Sequence, residues 1–260
     1  MNWRLAVLGY PVSHSLSPRL HEAGLELAGL TGSSHYVEVR EEEASRVTAL
    51  LGARLDAASV TMPLKREAAT LCDRLDAVAT RTGMVNSLWW HDGRLYGANT
   101  DGQGLLDALS DEFRFDASAT RAVVLGAGGA ARSIVDALSV AGAEEIVVHA
   151  RTAANFDWLA QHYDTVRPPT RRREPIDLVV NTIPTAGRDE DDDVLDGVGP
   201  DTIAVDITYA PPTSSWRSLY DAVGCATVNG LSMLAYQAAL QMQWWFQTEI
   251  EGATLLEVLT

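Results

Sequence analysis

Cysteine is almost missing from this 260-residue chain. Cys72 and Cys225 stand far apart and no CxxC occurs. A disulfide framework and a cysteine-ligated zinc site are therefore not expected. Histidine offers no substitute: His14, His21, His35, His91, His149 and His162 form no tight ligand pair, so no metal is expected. Basic residues are scarce as well. With 20 Lys+Arg against 35 Asp+Glu, the formal net charge is -15. Nucleic acid demands a basic footprint and is excluded as a partner on that ground. A negative field also slows an anionic substrate, so any anion site has to be locally basic. Long apolar runs are missing too. No stretch approaches a membrane span. The run Leu5 to Leu8, closed by Gly9-Tyr10-Pro11, is too short for a signal peptide. No internal repeat or low-complexity segment is present. The expectation is a cytoplasmic protein, monomer or homodimer, that acts on a small molecule away from membranes.

What is present is apolar and patterned. The chain is 47% hydrophobic and 21% charged, which suits a packed core in one large domain or two smaller ones. The densest signal is Ala122-Val-Val-Leu-Gly-Ala-Gly-Gly-Ala-Ala-Arg132. Four apolar residues predict a buried strand, and Ala130 to Ala141 carries apolar residues at helical spacing. Strand, glycine turn and helix together, as Gly126-x-Gly128-x-x-Ala131, fit a dinucleotide-binding fingerprint. Gly126 makes the tight turn and Gly128 admits a pyrophosphate to the backbone. Ala131 keeps helix and strand close, and the free N–H groups of the helix start face the anion. A tight turn with no ligand would look the same, so the rest of the chain has to decide.

Its other stretches alternate between strand and helix patterns. Strands are expected at Leu5–Leu8, His35–Val39, Leu55–Met62, Glu145–His149, Ile176–Val180, Thr202–Asp206 and Ala226–Val228. A hairpin is expected from Gly83–Trp90 and Arg94–Gly97, turning at His91-Asp92-Gly93. Helices are expected over Arg19–Ala28 (with Ser17 as N-cap), Glu41–Leu51, Leu64–Leu75, Gly102–Leu109, Ser214–Ala222 and Leu231–Ile250. Arg171-Arg-Arg173 and Gly187 to Asp193 read as loops. Several polar residues sit at element ends, where a cap and a ligand contact are both open: Ser15, Ser17, Thr100 and Asp101. Lys65 opens a helix against the dipole, a local conflict that hints at function. Gln237 lies in an apolar helix and is either a satisfied core amide or a ligand contact. At the end of the second nucleotide-domain strand, where an acid would hold a ribose hydroxyl, stands Arg151-Thr152. A guanidinium matches a 2′-phosphate, so NADP is expected over NAD.

Taken together, these stretches resemble the shikimate dehydrogenase family over essentially the whole chain. The matching pieces are Gly9-Tyr-Pro-Val-Ser-His-Ser-Leu-Ser-Pro18, Val60-Thr-Met-Pro-Leu-Lys65 and Gly83-Met-Val-Asn86. They continue through Asn99-Thr-Asp-Gly102, Gly126 to Arg132, Asp206 with Tyr209-x-Pro211, and Asn229-Gly-Leu-Ser-Met-Leu-Ala-Tyr-Gln237. The resemblance implies a two-domain α/β fold: a substrate domain of residues 1–100 with 229–260, and a Rossmann-like NADP domain of 101–228. It implies an active site in the cleft between them. It implies NADPH-dependent reduction of the 3-keto group of 3-dehydroshikimate to shikimate. By the same resemblance Ser15 and Ser17 hold the substrate carboxylate, and Thr61, Asn86, Tyr209 and Gln237 surround the ring. Lys65 and Asp101 transfer the proton, and Gly126, Gly128, Gly129, Ala130, Ala131, Arg151, Thr152 and Gly230 meet the cofactor. The sequence departs from the family at Ser59 (often Asn), Ala150 (often Asn), Asn155 (often a second Arg) and Ser232 (often Gly). Ser59 bears on one substrate contact and Asn155 on the 2′-phosphate clamp. Rival readings are a quinate or aminoshikimate dehydrogenase using NAD, and a non-catalytic metabolite-binding paralogue. Ser rather than Thr at position 17 favours shikimate, and retention of both Lys65 and Asp101 speaks against a pure binder.

Overall fold

The computed structural model describes residues 2–170, 174–184, 197–211 and 214–260. The loops expected at 171–173 and 187–193 lie outside them. In chain order the elements are β1 (Asn2–Gly9), α1 (Ser17–Leu27), β2 (Thr31–Glu38), α2 (Arg46–Leu50), β3 (Ala57–Val60), α3 (Lys65–Leu71), β4 (Arg74–Leu75), α4 (Ala77–Thr82), β5 (Ser87–His91), β6 (Arg94–Ala98) and α5 (Asp101–Phe113). They continue as β7 (Arg121–Leu125), α6 (Gly129–Val140), β8 (Glu145–His149), α7 (Ala153–His162), β9 (Val166–Arg167), β10 (Leu178–Asn181), β11 (Ile203–Asp206), α8 (Ser215–Ala222), β12 (Ala226–Asn229), α9 (Leu231–Phe246) and α10 (Gly252–Glu257). They form two compact units, Met1–Ala108 with Leu234–Thr260, and Leu109–Met233. The seams fall inside α5 and α9, several residues beyond the 100/101 and 228/229 boundaries expected from sequence.

The first unit is built on a mixed sheet ordered β2-β1-β3-β5-β6-β4. Its central strands carry apolar residues on both sides, because both faces are covered. Leu5 and Ala57 point into a core with Leu20 and Leu25 of α1 and Ala235, Ala238, Met242 and Trp245 of α9. Ala6, Leu8, Ala58 and Val60 point the other way, onto Val47, Leu64, Ala68 and Leu88. β1 and β3 run parallel, with Leu8 opposite Val60, and β5 pairs antiparallel to β3 with Ser87 opposite Ser59. The hairpin closes with Ser87 opposite Ala98. The ends of β1, β3 and β6 and the start of β5 therefore meet at one edge. Residues 10–18, 61–65, 86 and 99–101 all emerge there.

The second unit is an all-parallel sheet ordered β12-β11-β10-β7-β8-β9. Counting from β7, that is the 3-2-1-4-5-6 order of a doubly wound nucleotide-binding fold, whose chain reverses direction between β7 and β10. Ligands of such sheets bind outside the carboxyl ends of the strands at that point. Gly126 follows β7 and Thr182 follows β10, so the glycine turn occupies it.

Local expectations fail in instructive places. The single helix expected over Glu41–Leu51 is a 3-10 turn at Glu41–Glu43 and then α2, because only Val47 in α2 is buried. The helix expected to reach Leu75 stops at Leu71, and Arg74–Leu75 pairs with β6 instead. α9 ends at Phe246, with Gln247 at φ 54. Ser17 is not the N-cap of α1. Leu16 holds that position, and the Ser17 N–H donates to Ser15 Oγ at 3.2 Å. α4, α7 and α10 have no counterpart in the sequence pattern. α4 is held by Asp76, whose Oδ1 accepts from the Ala79 N–H, and by Gly83 in the left-handed region; α7 buries only Leu159. Among the described residues, no helix is long and apolar enough to cross a membrane, and no group of three His, Cys, Asp or Glu could hold a metal ion.

One buried group makes the first unit acid-sensitive. His21, on the inward face of α1, is wholly inaccessible to solvent. Burial pushes its pKa down to about 3. An unfolded histidine titrates near 6.5, so between those values the unfolded chain takes up a proton that the folded chain excludes. The penalty is absent above about pH 6.5. It grows on acidification by up to about 1.4 kcal/mol per pH unit until the folded pKa is reached. His21→Gln removes that proton uptake. Urea unfolding at pH 7 and pH 4.5 should show the variant gaining about 2–3 kcal/mol on wild type over that interval; parallel losses in both proteins would refute a neutral buried His21.

Candidate active site

Lys65 is the first residue of α3, where the helix dipole opposes a cation. Asp101 is the first residue of α5, where the dipole favours an anion. The two meet: Lys65 Nζ donates to Asp101 Oδ2 at 2.5 Å, with side chains 16% and 7% exposed. The carboxylate thus compensates for the misplaced lysine. Asp101 does not spend its side chain on capping. Its second oxygen, Oδ1, accepts from Asn86 Nδ2 at 2.7 Å. Both carboxyl oxygens thus accept from nitrogen donors, and the pair is largely screened from water.

The amides around that pair are oriented by backbone groups that have only one polarity. Asn86 Oδ1 accepts from the Thr100 N–H at 2.9 Å, which turns the Asn86 NH2 toward Asp101. Gln237 Nε2 donates to the Leu234 carbonyl at 2.7 Å, which leaves Gln237 Oε1 to accept from Asn86 Nδ2 at 3.2 Å. Thr100 Oγ1 donates to the Gln237 carbonyl at 2.9 Å and accepts from Asn86 Nδ2 at 3.0 Å. Asn99 Oδ1 accepts from the Asp101 N–H at 3.1 Å. The backbones of α5 and α9 have to lie close for this to work, and Gly104 permits it: a Cβ there would stand 2.5 Å from the Gln237 nitrogen. Gln237 is therefore both a satisfied core amide and part of the site, two readings that the sequence presented as alternatives.

Four of the sequence-predicted residues are thus bonded together: Lys65, Asn86, Asp101 and Gln237. Ser15, Ser17 and Thr61 emerge at the same sheet edge. Ser17 is buried. Thr61 holds its loop through backbone bonds, its N–H on the Leu8 carbonyl at 2.9 Å and its carbonyl on the Leu64 N–H at 3.0 Å. Sequence reading missed the role of Thr100 as a buried acceptor. It also missed His21, which bonds Ser34 and Ser59 through its two ring nitrogens. The available signal was a histidine beside Leu20 on the apolar face of α1.

In the second unit the residues fit a dinucleotide. Gly126 has φ 106, and a Cβ on it would collide with Thr182 Oγ1. Gly128 stands at the N-cap of α6, exposed, and a Cβ there would meet nothing within 4 Å. Its missing side chain leaves open space beside the N–H groups of Gly129, Ala130 and Ala131, a suitable place for a pyrophosphate. Arg151 and Thr152 are exposed just past β8, and Thr152 makes no side-chain cap bond to α7. Tyr209 is half-buried in the loop after β11. That loop is organised by Asp206, which accepts from Asn181 Nδ2, Thr208 N, Thr208 Oγ1 and Ser214 Oγ. Gly230 has a different reason to be glycine, because a Cβ would run into the Ile207 carbonyl.

Comparisons with known proteins agree with this geometry. Residues 7–88 match the model of the shikimate dehydrogenase substrate binding domain. A shikimate dehydrogenase (NADP(+)) of Methanopyrus kandleri is 34% identical, over 98% of this chain and 94% of its own length. One of the same name from Geobacillus kaustophilus is 32% identical, over 92% of this chain and 91% of its own. The solved structure of shikimate 5-dehydrogenase from Thermus thermophilus, in complex with NADP(H) and shikimate, superposes with a TM-score of 0.87 at 32% identity. That match covers 98% of each chain. By sequence over nearly its whole length and by the fold of both units, this chain belongs to the shikimate dehydrogenase family.

Proposed function

We propose that this protein catalyses the NADP-dependent interconversion of 3-dehydroshikimate and shikimate, with Lys65 and Asp101 as its proton-transfer pair. The observation that carries the reading is the 2.5 Å Lys65–Asp101 contact, shielded from water and ringed by oriented amides. The bound nicotinamide supplies a hydride to the keto carbon or takes one from the alcohol carbon. The remaining work falls to side chains. Reduction of a carbonyl leaves negative charge on its oxygen, and that oxygen needs a positive neighbour and a proton. The Lys65 ammonium provides both. In oxidation the flow reverses: Lys65 enters as the neutral amine and takes the hydroxyl proton as the hydride leaves. Asp101 accepts from that amine and holds it in place. Ser15 and Ser17 bind the substrate carboxylate, and Thr61, Asn86, Tyr209 and Gln237 select for the ring hydroxyls. On the cofactor side, Gly126, Gly128, Gly129, Ala130 and Ala131 cradle the pyrophosphate. Arg151 and Thr152 hold the 2′-phosphate, and Gly230 shapes the chain beside the nicotinamide.

Crossing shikimate and quinate with NADP and NAD, and following absorbance of the reduced nicotinamide, tests the reading directly. Turnover is expected with shikimate plus NADP; activity confined to quinate plus NAD would overturn it. Lys65→Ala should lower kcat by about 10²–10⁴-fold and move the shikimate KM by less than about tenfold. A near-normal kcat would remove Lys65 from the chemistry. Arg151→Ala should raise the KM for NADP by about tenfold, the loss of one charge-assisted contact, and leave that for NAD unchanged. Equal shifts for both cofactors would refute the 2′-phosphate role.

A further inference from the structure

A buried polar chain runs from the Lys65–Asp101 pair deep into the first unit, and the chemistry above makes no use of its far half. Gln241 lies one helical turn beyond Gln237. Its Nε2 donates to Gln237 Oε1 at 2.7 Å and to the Asn86 carbonyl at 3.1 Å. Ser59 Oγ donates to Gln241 Oε1 at 2.5 Å. His21 Nε2 lies 2.8 Å from Ser59 Oγ, and His21 Nδ1 lies 2.7 Å from Ser34 Oγ. Every member is buried: Gln241 1%, Ser59 5%, His21 0% and Ser34 4% exposed.

The polarity of the whole chain follows from its backbone anchors. The Asn86 carbonyl can only accept, so the NH2 of Gln241 faces it and Oε1 faces Ser59. A serine has one hydroxyl proton, and Ser59 spends it on Gln241. His21 must then bring its own hydrogen to Ser59 from Nε2, and because burial keeps the ring neutral this is the Nε2–H tautomer. Nδ1 is left bare and accepts from Ser34. Each link therefore has one allowed direction, from Ser34 through His21, Ser59 and Gln241 to the Gln237 oxygen. That same oxygen receives the Asn86 amide, which also donates to Thr100 Oγ1 and to Asp101 Oδ1.

We propose that His21, Ser59 and Gln241 are positioning residues for the proton-transfer pair. They fix the Gln237 and Asn86 amides, and through Asn86 they fix Asp101. The proposal rests on the reading of Lys65 and Asp101 given above. None of the three touches the pair itself, so their effect passes through Asn86. Burial, which holds the His21 ring neutral at ordinary pH, keeps the direction of the chain constant while the enzyme works.

The test compares wild type with His21→Met, His21→Gln, Ser59→Ala and the double variant His21→Met/Ser59→Ala. Thermal unfolding is measured for each alongside kcat and both KM values. Ser59→Ala and His21→Met should each lower kcat by about tenfold, with the NADP KM unchanged. A glutamine amide reaches about as far as Nε2, so His21→Gln restores the donor to Ser59 and should return kcat to within about threefold of wild type. The links act in series, so the double variant should lose no more than Ser59→Ala alone. Wild-type kcat in folded Ser59→Ala, additive losses in the double variant, or equal losses in His21→Gln and His21→Met would each overturn the proposal. Should His21→Met not fold, Ser59→Ala decides. The ring is also read directly. Nitrogen-15 NMR of histidine-labelled wild type, with His21 assigned from its absence in His21→Gln, should show the Nε2–H tautomer. An Nδ1–H ring overturns the positioning chain even in an inactive protein. Absence of wild-type turnover overturns the proposed function instead, so the two failures are told apart.

Discussion

A carboxylate that is 7% exposed is expensive unless every oxygen is bonded and its charge is met. Asp101 imposes that requirement on everything around it. Lys65 answers the charge, Asn86 answers the second oxygen, and Asn99 holds the backbone that carries it. Each of those groups is itself buried or nearly so and makes its own demand. The result is a set of side chains that cannot be changed singly, because the loss of one leaves another unsatisfied. Taking away either ion also leaves its partner as a lone charge in a poorly hydrated place, which costs far more than the pair contributes. The site is therefore rigid for the same reason that it is reactive.

The two units meet their ligands by different physics. The first relies on fixed charges and directed amides. The second, among its described residues, offers backbone groups at the glycine turn. Gly126 bends the chain in a conformation that favours glycine, Gly128 leaves room, and the start of α6 supplies uncommitted N–H groups. This division suits a chain with a formal net charge of -15.

Legibility followed the physics of each residue. Strands buried on both faces, such as Leu5–Leu8 and Ala122–Leu125, stood out as uninterrupted apolar runs, and β7, its glycine turn and α6 were readable as one unit. Lys65 was readable because it contradicts the dipole of its own helix. Helices with a single buried anchor were not. α7 buries Leu159 alone, and α4 depends on Asp76 and Gly83 at its ends rather than on a face. β4 was hidden because its two residues are strand only by pairing with β6. The chain from His21 to Gln241 was invisible for a related reason. Its members lie 38 and 182 residues apart at successive links, and no local pattern encodes a contact of that range.

The β5–β6 hairpin has a consequence for how this family can vary. Ser87 faces Ala98 at the root of the hairpin, and this pairing alone makes Asn86 a neighbour of Thr100 and Asp101. The tip at Asp92-Gly93 lies at the opposite end of both strands and is exposed. Lengthening the ribbon there by matched residues leaves the root register untouched. The tip is thus a place where the chain is free to grow, graft a new loop or accept a tag, while the geometry of proton transfer stays clamped at the other end.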